Sequence, residues 1–182
     1  TTAQMFADEG LPVWDADAAV HDLYAPGGAA VAPLSALHPE ALKDGAIDRS
    51  ALRNWIARDP DALRQIESIV HPLVARSRAD FLQQQAGEPL VVLDIPLLFE
   101  GGGAALCDAT LVVSAPPEVQ RARVLARPGM TEVHFATILA KQMPDAQKRA
   151  LADHVIETLT LDQTRAEIRA LIARLTGKPL DA

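Results

Sequence analysis

Residues 90–100 read Leu90-Val91-Val92-Leu93-Asp94-Ile95-Pro96-Leu97-Leu98-Phe99-Glu100. Four consecutive apolar residues bounded by a turn signal form the pattern of a buried strand, and Asp94 falls where that strand ends. Pro96 lacks the N–H that a central strand must donate, so the chain leaves the sheet there. In an open α/β sheet, ligands bind outside the carboxyl ends of the strands. A carboxylate at such an end is solvated at little cost and is placed to hold a metal ion or a substrate hydroxyl. The same run is equally the pattern of a buried strand followed by a capped loop, and by itself it does not separate the two.

The flanking sequence supplies more strands. Leu11-Pro12-Val13-Trp14 is short and apolar, with Asp15-Ala16-Asp17 at its tip, and residues 109–114 and Val155-Ile156 read as two further strands. Helical patterns alternate with them. Residues 3–7 close at Gly10 as a C-terminal cap, with no run-in before them, which suggests that something upstream is missing. Residues 18–24 break at Ala25-Pro26-Gly27-Gly28. Residues 162–175 carry Ile168, Leu171, Ile172 and Leu175 on one stripe. Between residues 29 and 86 no strand pattern occurs. That block reads as helices, with Leu52, Trp55 and Ile56 on one and Leu63, Ile66, Ile69 and Val70 on the next. His71-Pro72 interrupts the second, and a third runs from 73 to 85. Pro116-Pro117 opens a helix where proline is tolerated. Another runs from Thr131 to about Gln142 and ends at Met143-Pro144. Strands alternating with helices predict an α/β fold with a parallel sheet.

The totals narrow the function classes. The 182 residues suit one domain with appendages and can bury a core. A formal net charge of -7 leaves no basic footprint for a nucleic-acid backbone, although local arginines can still hold a small anion. Cys107 is the single cysteine, which rules out an intrachain disulfide and points to a reducing, cytoplasmic setting. No apolar run reaches the roughly 18 residues of a membrane span. The composition leaves the oligomeric state open.

Three groups of residues carry chemistry. Asp15 and Asp17, two apart in an extended chain, point the same way and face one cleft; one could accept the proton of a hydroxyl nucleophile, and one could instead cap the next helix. Arg121, Arg123 and Arg127 form a local basic cluster. On a helix, 123 and 127 are i,i+4 and present two planar, permanently charged forks to a polyanion, unless the cluster is only a solvated face. His71 before Pro72 is either a structural hydrogen-bonder or a site residue. His21, His38, His134 and His154 show no metal-ligand spacing. Gly101-Gly102-Gly103 lacks the Lys-Ser/Thr of a phosphate loop.

Taken in order, several segments resemble the dephospho-coenzyme A kinase family of P-loop kinases. They are residues 6–10, 13–17 (Val-Trp-Asp-Ala-Asp), 48–53 (Asp-Arg-Ser-Ala-Leu-Arg), 70–74 (Val-His-Pro-Leu-Val), 92–100, 142–144 (Gln-Met-Pro) and 152–156 (Ala-Asp-His-Val-Ile). Each is weak alone, but the collinear set is specific and spans nearly the whole chain. The resemblance implies a parallel-sheet P-loop kinase core over residues 1–28, 87–120 and 145–182, a helical acceptor-binding insertion over 29–86 and a helical lid over 121–144. It implies transfer of the γ-phosphate of ATP to the 3′-hydroxyl of dephospho-CoA, with Mg²⁺. Asp17 would orient or deprotonate that hydroxyl. Arg123 would reach the transferring phosphate from the lid, and Arg127 would assist at the nucleotide. His71 and Arg76 would bind the acceptor with Asp17, and Asp94, Pro96, Leu97 and Glu100 would line the cleft, with Asp94 a possible metal ligand.

Three departures qualify that resemblance. The family's G-x-x-x-x-G-K-[ST] loop and its leading strand are absent from these residues, so the sequence is expected to be a fragment. As given it is expected to be inactive, with an open gap and unpaired ladder groups in its sheet. Lys148 stands where the family often has arginine, which loses bidentate geometry. Thr158 stands near a frequent asparagine, which puts adenine contacts there in doubt. The rival readings are a nucleoside monophosphate kinase with the same core and a non-catalytic binding fragment.

Overall fold

The computed structural model describes residues 2–140 and 142–177. Thr1, Lys141 and residues 178–182 lie outside the described residues, and with Lys141 one residue of the expected lid and the point where the helix from Thr131 to Gln142 would pass position 140. The elements run α1 (Thr2–Asp8), β1 (Val13–Asp15), α2 (Ala16–Tyr24), α3 (Val31–Leu37), β2 (Leu42–Lys43), β3 (Ala46–Ile47), α4 (Arg49–Arg58), α5 (Ala62–Gln84) and β4 (Val92–Asp94). They continue with β5 (Leu111–Ser114), α6 (Pro117–Leu125), α7 (Glu132–Leu139), α8 (Asp145–Leu151), β6 (His154–Glu157) and α9 (Leu161–Thr176). They cluster into two compact units. One holds the described residues of Thr1–Leu11 and Ile95–Ala182, the other Pro12–Asp94.

In the Pro12–Asp94 unit, β1 and β4 pair in parallel, with Val13 opposite Val92, Trp14 opposite Leu93 and Asp15 opposite Asp94. Trp14 is buried, and its Nε1–H donates to Ser77 Oγ of α5 at 3.1 Å, so the long helix is tied to the strand pair. The helical block has its own core of Ala30, Leu34, Ala41, Ile47, Leu52, Ile66 and Val70. Gly28 allows the chain to turn into it. A Cβ there would sit 2.3 Å from the Leu23 carbonyl oxygen, which no side chain can tolerate.

Two expectations fail in this block. It does contain strands: β2 and β3 form an antiparallel hairpin. Asp44 and Gly45 both have positive φ, 51° and 79°, the conformation of the two-residue turns that favour Asp-Gly. The Asp-Gly dipeptide was the visible signal. His71-Pro72 also fails to interrupt its helix, because α5 runs through Pro72 without a break. A proline inside a helix costs about 3 kcal/mol. Burying Ile66 and Val70, each worth about 1.5–3 kcal/mol, outweighs that, and Ile69, Leu73 and Val74 pack against the same core. Leu63, expected on the buried stripe, is 48% exposed, and Ile56 is also exposed.

In the other unit, β5 and β6 pair in parallel from Leu111 opposite His154 to Ser114 opposite Glu157. α9 buries Thr164, Ile168 and Leu171, while Leu175 at the end of the expected stripe stays exposed. α1 packs on α9, burying Met5 and Phe6, and the contact is flanked by Arg165–Asp8 and Arg169–Glu9 ion pairs. The Gly10 cap is realised: the Gly10 N–H bonds to Ala7 O and the Leu11 N–H to Phe6 O, with Gly10 φ at 86°. α8, with Asp145 in its first turn after Pro144, was not foreseen. α6, α7 and α8 contain no buried residue. Parallel pairing is therefore the rule for the α/β strands, in two separate pairs; among the described residues no strand joins them.

Candidate functional site

At the carboxyl end of the β1–β4 pair three carboxylates gather. Register brings Asp15 opposite Asp94, and the chain turns into α2 directly after Asp15. Asp15 caps that helix, its Oδ1 accepting from the Ala18 N–H at 2.9 Å. Asp17 is therefore in the first helical turn, and the shared extended direction expected for Asp15 and Asp17 does not occur. Of the two alternatives open for the pair, capping falls to Asp15. Asp17 is exposed and makes no hydrogen bond or ion pair among the described residues, which leaves its oxygens available to a ligand.

Asp94 keeps solvent access at the tip of β4. Packing around its carboxyl, then the charge of Asp15 and more weakly that of Asp17, holds it above the usual aspartate range. No group of three His, Cys, Asp or Glu side chains among the described residues is arranged to hold a metal ion. A Mg²⁺ ion commonly takes only one or two carboxylates, with phosphate oxygens and water completing its shell. The crowded negative charge at Asp94 suits that mode.

The other residues expected on the acceptor side are on α5 and the loop after β4. His71 and Arg76 are both exposed, but five residues place them about 140° apart around the helix, so they do not share one face. Arg76 lies 3.9 Å from Asp80 one turn later. Pro96 and Leu97 form a turn in which Leu97 takes φ 58°, a left-handed conformation unusual for a branched side chain, and Leu97 is 46% exposed. Glu100, in the same loop, is already committed. It accepts from the Met143 N–H at 2.7 Å and from Lys148 Nζ at 3.0 Å. Burial pushes its carboxyl up, but those donors more than compensate and hold it below the usual range. Lys148 makes a single point contact here, as its substitution for arginine implies.

Arg123 lies in the last turn of α6, with its fork on the β6–α9 connection. Nη1 donates to Thr158 Oγ1 at 3.1 Å and Nη2 to Leu159 O at 3.0 Å. Arg127 does not share its helical face. α6 stops at Leu125, because a residue before proline, here Pro128, is driven out of the helical region. Arg127 stands exposed in the following turn, and Arg121 pairs with Glu132 of α7.

A polar network at the carboxyl end of β5 escaped the sequence reading. Buried Ser114 donates from Oγ to Asp145 Oδ2 at 2.8 Å and accepts from Arg149 Nη1 at 3.2 Å, while its carbonyl accepts from the Thr158 N–H and hydroxyl. At the opposite end of the strand, the Thr110 N–H and hydroxyl both donate to Asp153 Oδ2, at 2.8 and 2.7 Å, and hold that carboxyl below its usual range. The sequence placed Thr110 and Ser114 on a strand and Asp153 in a family segment, but no signal in it joined these groups to one another.

With this geometry, the chain matches known proteins over most of its length. A family model described as dephospho-CoA kinase matches residues 1–162. The dephospho-CoA kinase of Cereibacter sphaeroides is 62% identical over 175 residues, covering 96% of this chain and 88% of the relative. This chain belongs to the dephospho-CoA kinase family. The dephospho-CoA kinase of Ruegeria pomeroyi is 55% identical over 182 residues, 100% of this chain and 92% of that protein. Among solved structures, a crystal structure from Thermus thermophilus is similar with a TM-score of 0.81 and 34% identity, covering 95% of this chain and 89% of its own. A dephospho-CoA kinase from Campylobacter jejuni, at 19% identity, shares the fold with a TM-score of 0.66 over 96% of this chain and 89% of its own. The function is accordingly that of an ATP-dependent dephospho-CoA kinase of coenzyme A biosynthesis, with dephospho-CoA and ATP as substrates.

Proposed function

We propose that in this dephospho-CoA kinase the 3′-hydroxyl of the acceptor ribose is oriented and deprotonated by Asp17, and that Arg123 neutralises charge on the transferring phosphoryl group. The observation that carries the first assignment is the division of labour at the β1 tip: Asp15 is spent on the helix cap, whereas Asp17 is exposed and unpartnered among the described residues. An ionised carboxylate within hydrogen-bond reach of the hydroxyl accepts its proton as the oxygen attacks phosphorus in line, and positioning supplies most of the remaining rate enhancement. Arg123 now rests on two neutral oxygens. Exchanging them for phosphate oxygens forms shorter, charge-assisted bonds, so a bound nucleotide can draw it away.

Residues 29–86 serve as the acceptor-binding part in this reading, and residues 121–144 as the lid. The absence of buried residues from α6 and α7 supports a segment held by few apolar contacts. Arg127, exposed on the lid, contacts the nucleotide. His71, Arg76, Pro96 and Leu97 contact the acceptor, and Glu100 braces the site through Lys148. Asp94 is the carboxylate that would hold Mg²⁺, directly or through water, and the ion would supply charge neutralisation at the phosphates. The phosphate-cradling lysine and N–H groups of a G-x-x-x-x-G-K-[ST] loop have no counterpart in these 182 residues, which by themselves would lack turnover. The single cysteine accords with a cytoplasmic enzyme.

Asp17→Asn in a protein that also carries a phosphate loop is the direct test. With ATP binding retained, turnover of dephospho-CoA should fall about 100- to 10,000-fold, the range for loss of a general base. Near-normal turnover would remove Asp17 from that role.

A further inference from the structure

α2 carries more than the carboxylate. Asp17, His21 and Tyr24 are spaced i, i+4 and i+7, so they line one face of the helix. His21 and Tyr24 lie about 6 and 10 Å beyond Asp17 along the axis. Helical side chains lean toward the N-terminus, so both incline back toward Asp17. They form one wall of an open pocket of about 470 Å³, whose other walls are Pro26, the β3 residues Ala46 and Ile47, and Arg49 at the start of α4.

Arg49 supplies the permanent positive charge in the pocket lining. Like seven other arginines, Arg49 pairs with no carboxylate among the described residues, and of those it is the one that lines this pocket. The adjacent Asp48 is engaged as the cap of α4, its Oδ1 accepting from the Ser50 N–H at 2.7 Å. The Arg49 guanidinium instead lies over the Tyr24 ring, 5.6 Å from its centre, and makes no hydrogen bond or ion pair among the described residues. An arginine fork without a carboxylate partner, in the same lining as His21, suits the pocket to an anionic group.

We propose that this pocket binds the 5′-diphosphate of the acceptor, with Arg49 gripping the phosphate oxygens and His21 donating beside it. The proposal rests on the assignment of Asp17 to the 3′-hydroxyl. The 3′-hydroxyl and the 5′-diphosphate leave one ribose ring on opposite sides, a separation of the same order as that between Asp17 and His21 along α2. The pocket then acts as a ruler: an acceptor held here by its diphosphate presents its 3′-hydroxyl, rather than another, at Asp17.

The test uses the protein carrying a phosphate loop and its Arg49→Ala, Arg49→Lys and His21→Ala variants, each with its thermal melt recorded. Calorimetric binding of dephospho-CoA and of adenosine is measured beside steady-state kinetics with ATP. Arg49→Ala should weaken dephospho-CoA binding and raise its KM about 10- to 100-fold, the worth of a charge-assisted pair, and leave adenosine binding and the KM for ATP in place. Arg49→Lys should recover part of the loss, and His21→Ala should shift the same constant in the same direction. An unchanged dephospho-CoA constant in Arg49→Ala overturns the pocket, as does a rise confined to the KM for ATP. If dephospho-CoA binds in an Arg49-dependent manner but no phosphate is transferred, the pocket stands and the assignment of Asp17 falls.

Discussion

Asp94 and Asp153 are the same residue type at opposite ends of strands, and their surroundings push them in opposite directions. Asp153 accepts two hydrogen bonds from Thr110, which favour its charged form. Its folded-state pKa is lowered, so its contribution to stability is present above the usual aspartate range and is lost as pH falls through the folded pKa. At Asp94 burial comes first and the charge of Asp15 second, and both favour the neutral form. The native state then holds that proton more tightly than the unfolded chain, and stability falls as pH rises through the window above the usual aspartate range. Melting curves from pH 3 to pH 8 check both signs. At neutral pH, Asp153→Asn should melt below wild type and Asp94→Asn above it, and both gaps should close below about pH 3.9, the ordinary aspartate value. If Asp94 also holds the metal, Asp94→Asn should lose activity while it gains stability. Arg123 belongs to the same scale. Arg123→Ala removes two bonds to neutral oxygens at an exposed site, so turnover should drop by orders of magnitude while the melting temperature shifts little. A large loss of stability would make that arginine structural.

Among the elements, α5 is the informative one. Pro72 has no N–H for the Ser68 carbonyl, yet the helix continues for another twelve residues to Gln84. Pro72 is itself exposed, so replacing it opens no cavity. Pro72→Ala should restore the helical bond and stabilise the protein by about 2 kcal/mol, the propensity gain less the added freedom of the unfolded chain. An upward shift of the urea midpoint at constant slope would show it. A fall in stability would mean that the proline bends α5 into the fit its core requires. The Asp44-Gly45 hairpin teaches a complementary lesson, because a two-residue turn signal outweighed the lack of any alternating pattern in strands only two residues long.

For the whole molecule, the proposed need for a phosphate loop is what activity tests. The 182 residues include Asp17, Arg123 and the Asp94 tip, which we assign to the acceptor and to charge neutralisation, but no G-x-x-x-x-G-K-[ST] sequence. Prepared alone, they should show no ATP-dependent phosphorylation of dephospho-CoA, whereas a protein that also carries such a loop ahead of Thr1 should turn over. A coupled ADP-release assay on the two preparations separates the outcomes. Turnover by the 182 residues alone would place phosphate binding on other groups.

The fold class, the positions of the parallel strands, the Gly10 cap and the ordered motifs of the kinase family were legible in the sequence, because they rest on local signals: apolar runs, breakers and caps act within a few residues. What each polar group does was decided only in three dimensions. Asp15 and Asp17 are two apart in sequence and alike in composition, and only the turn into α2 made one a cap and left the other free. Arg123 and Arg127 read as a helical pair until Pro128 ended the helix between them. The Ser114–Asp145–Arg149 network joins residues up to 35 positions apart, and the pocket joins α2 to the start of α4. Hydrogen bonds and charge pairs depend on distance in space, and a linear pattern carries that distance only where the chain is locally regular.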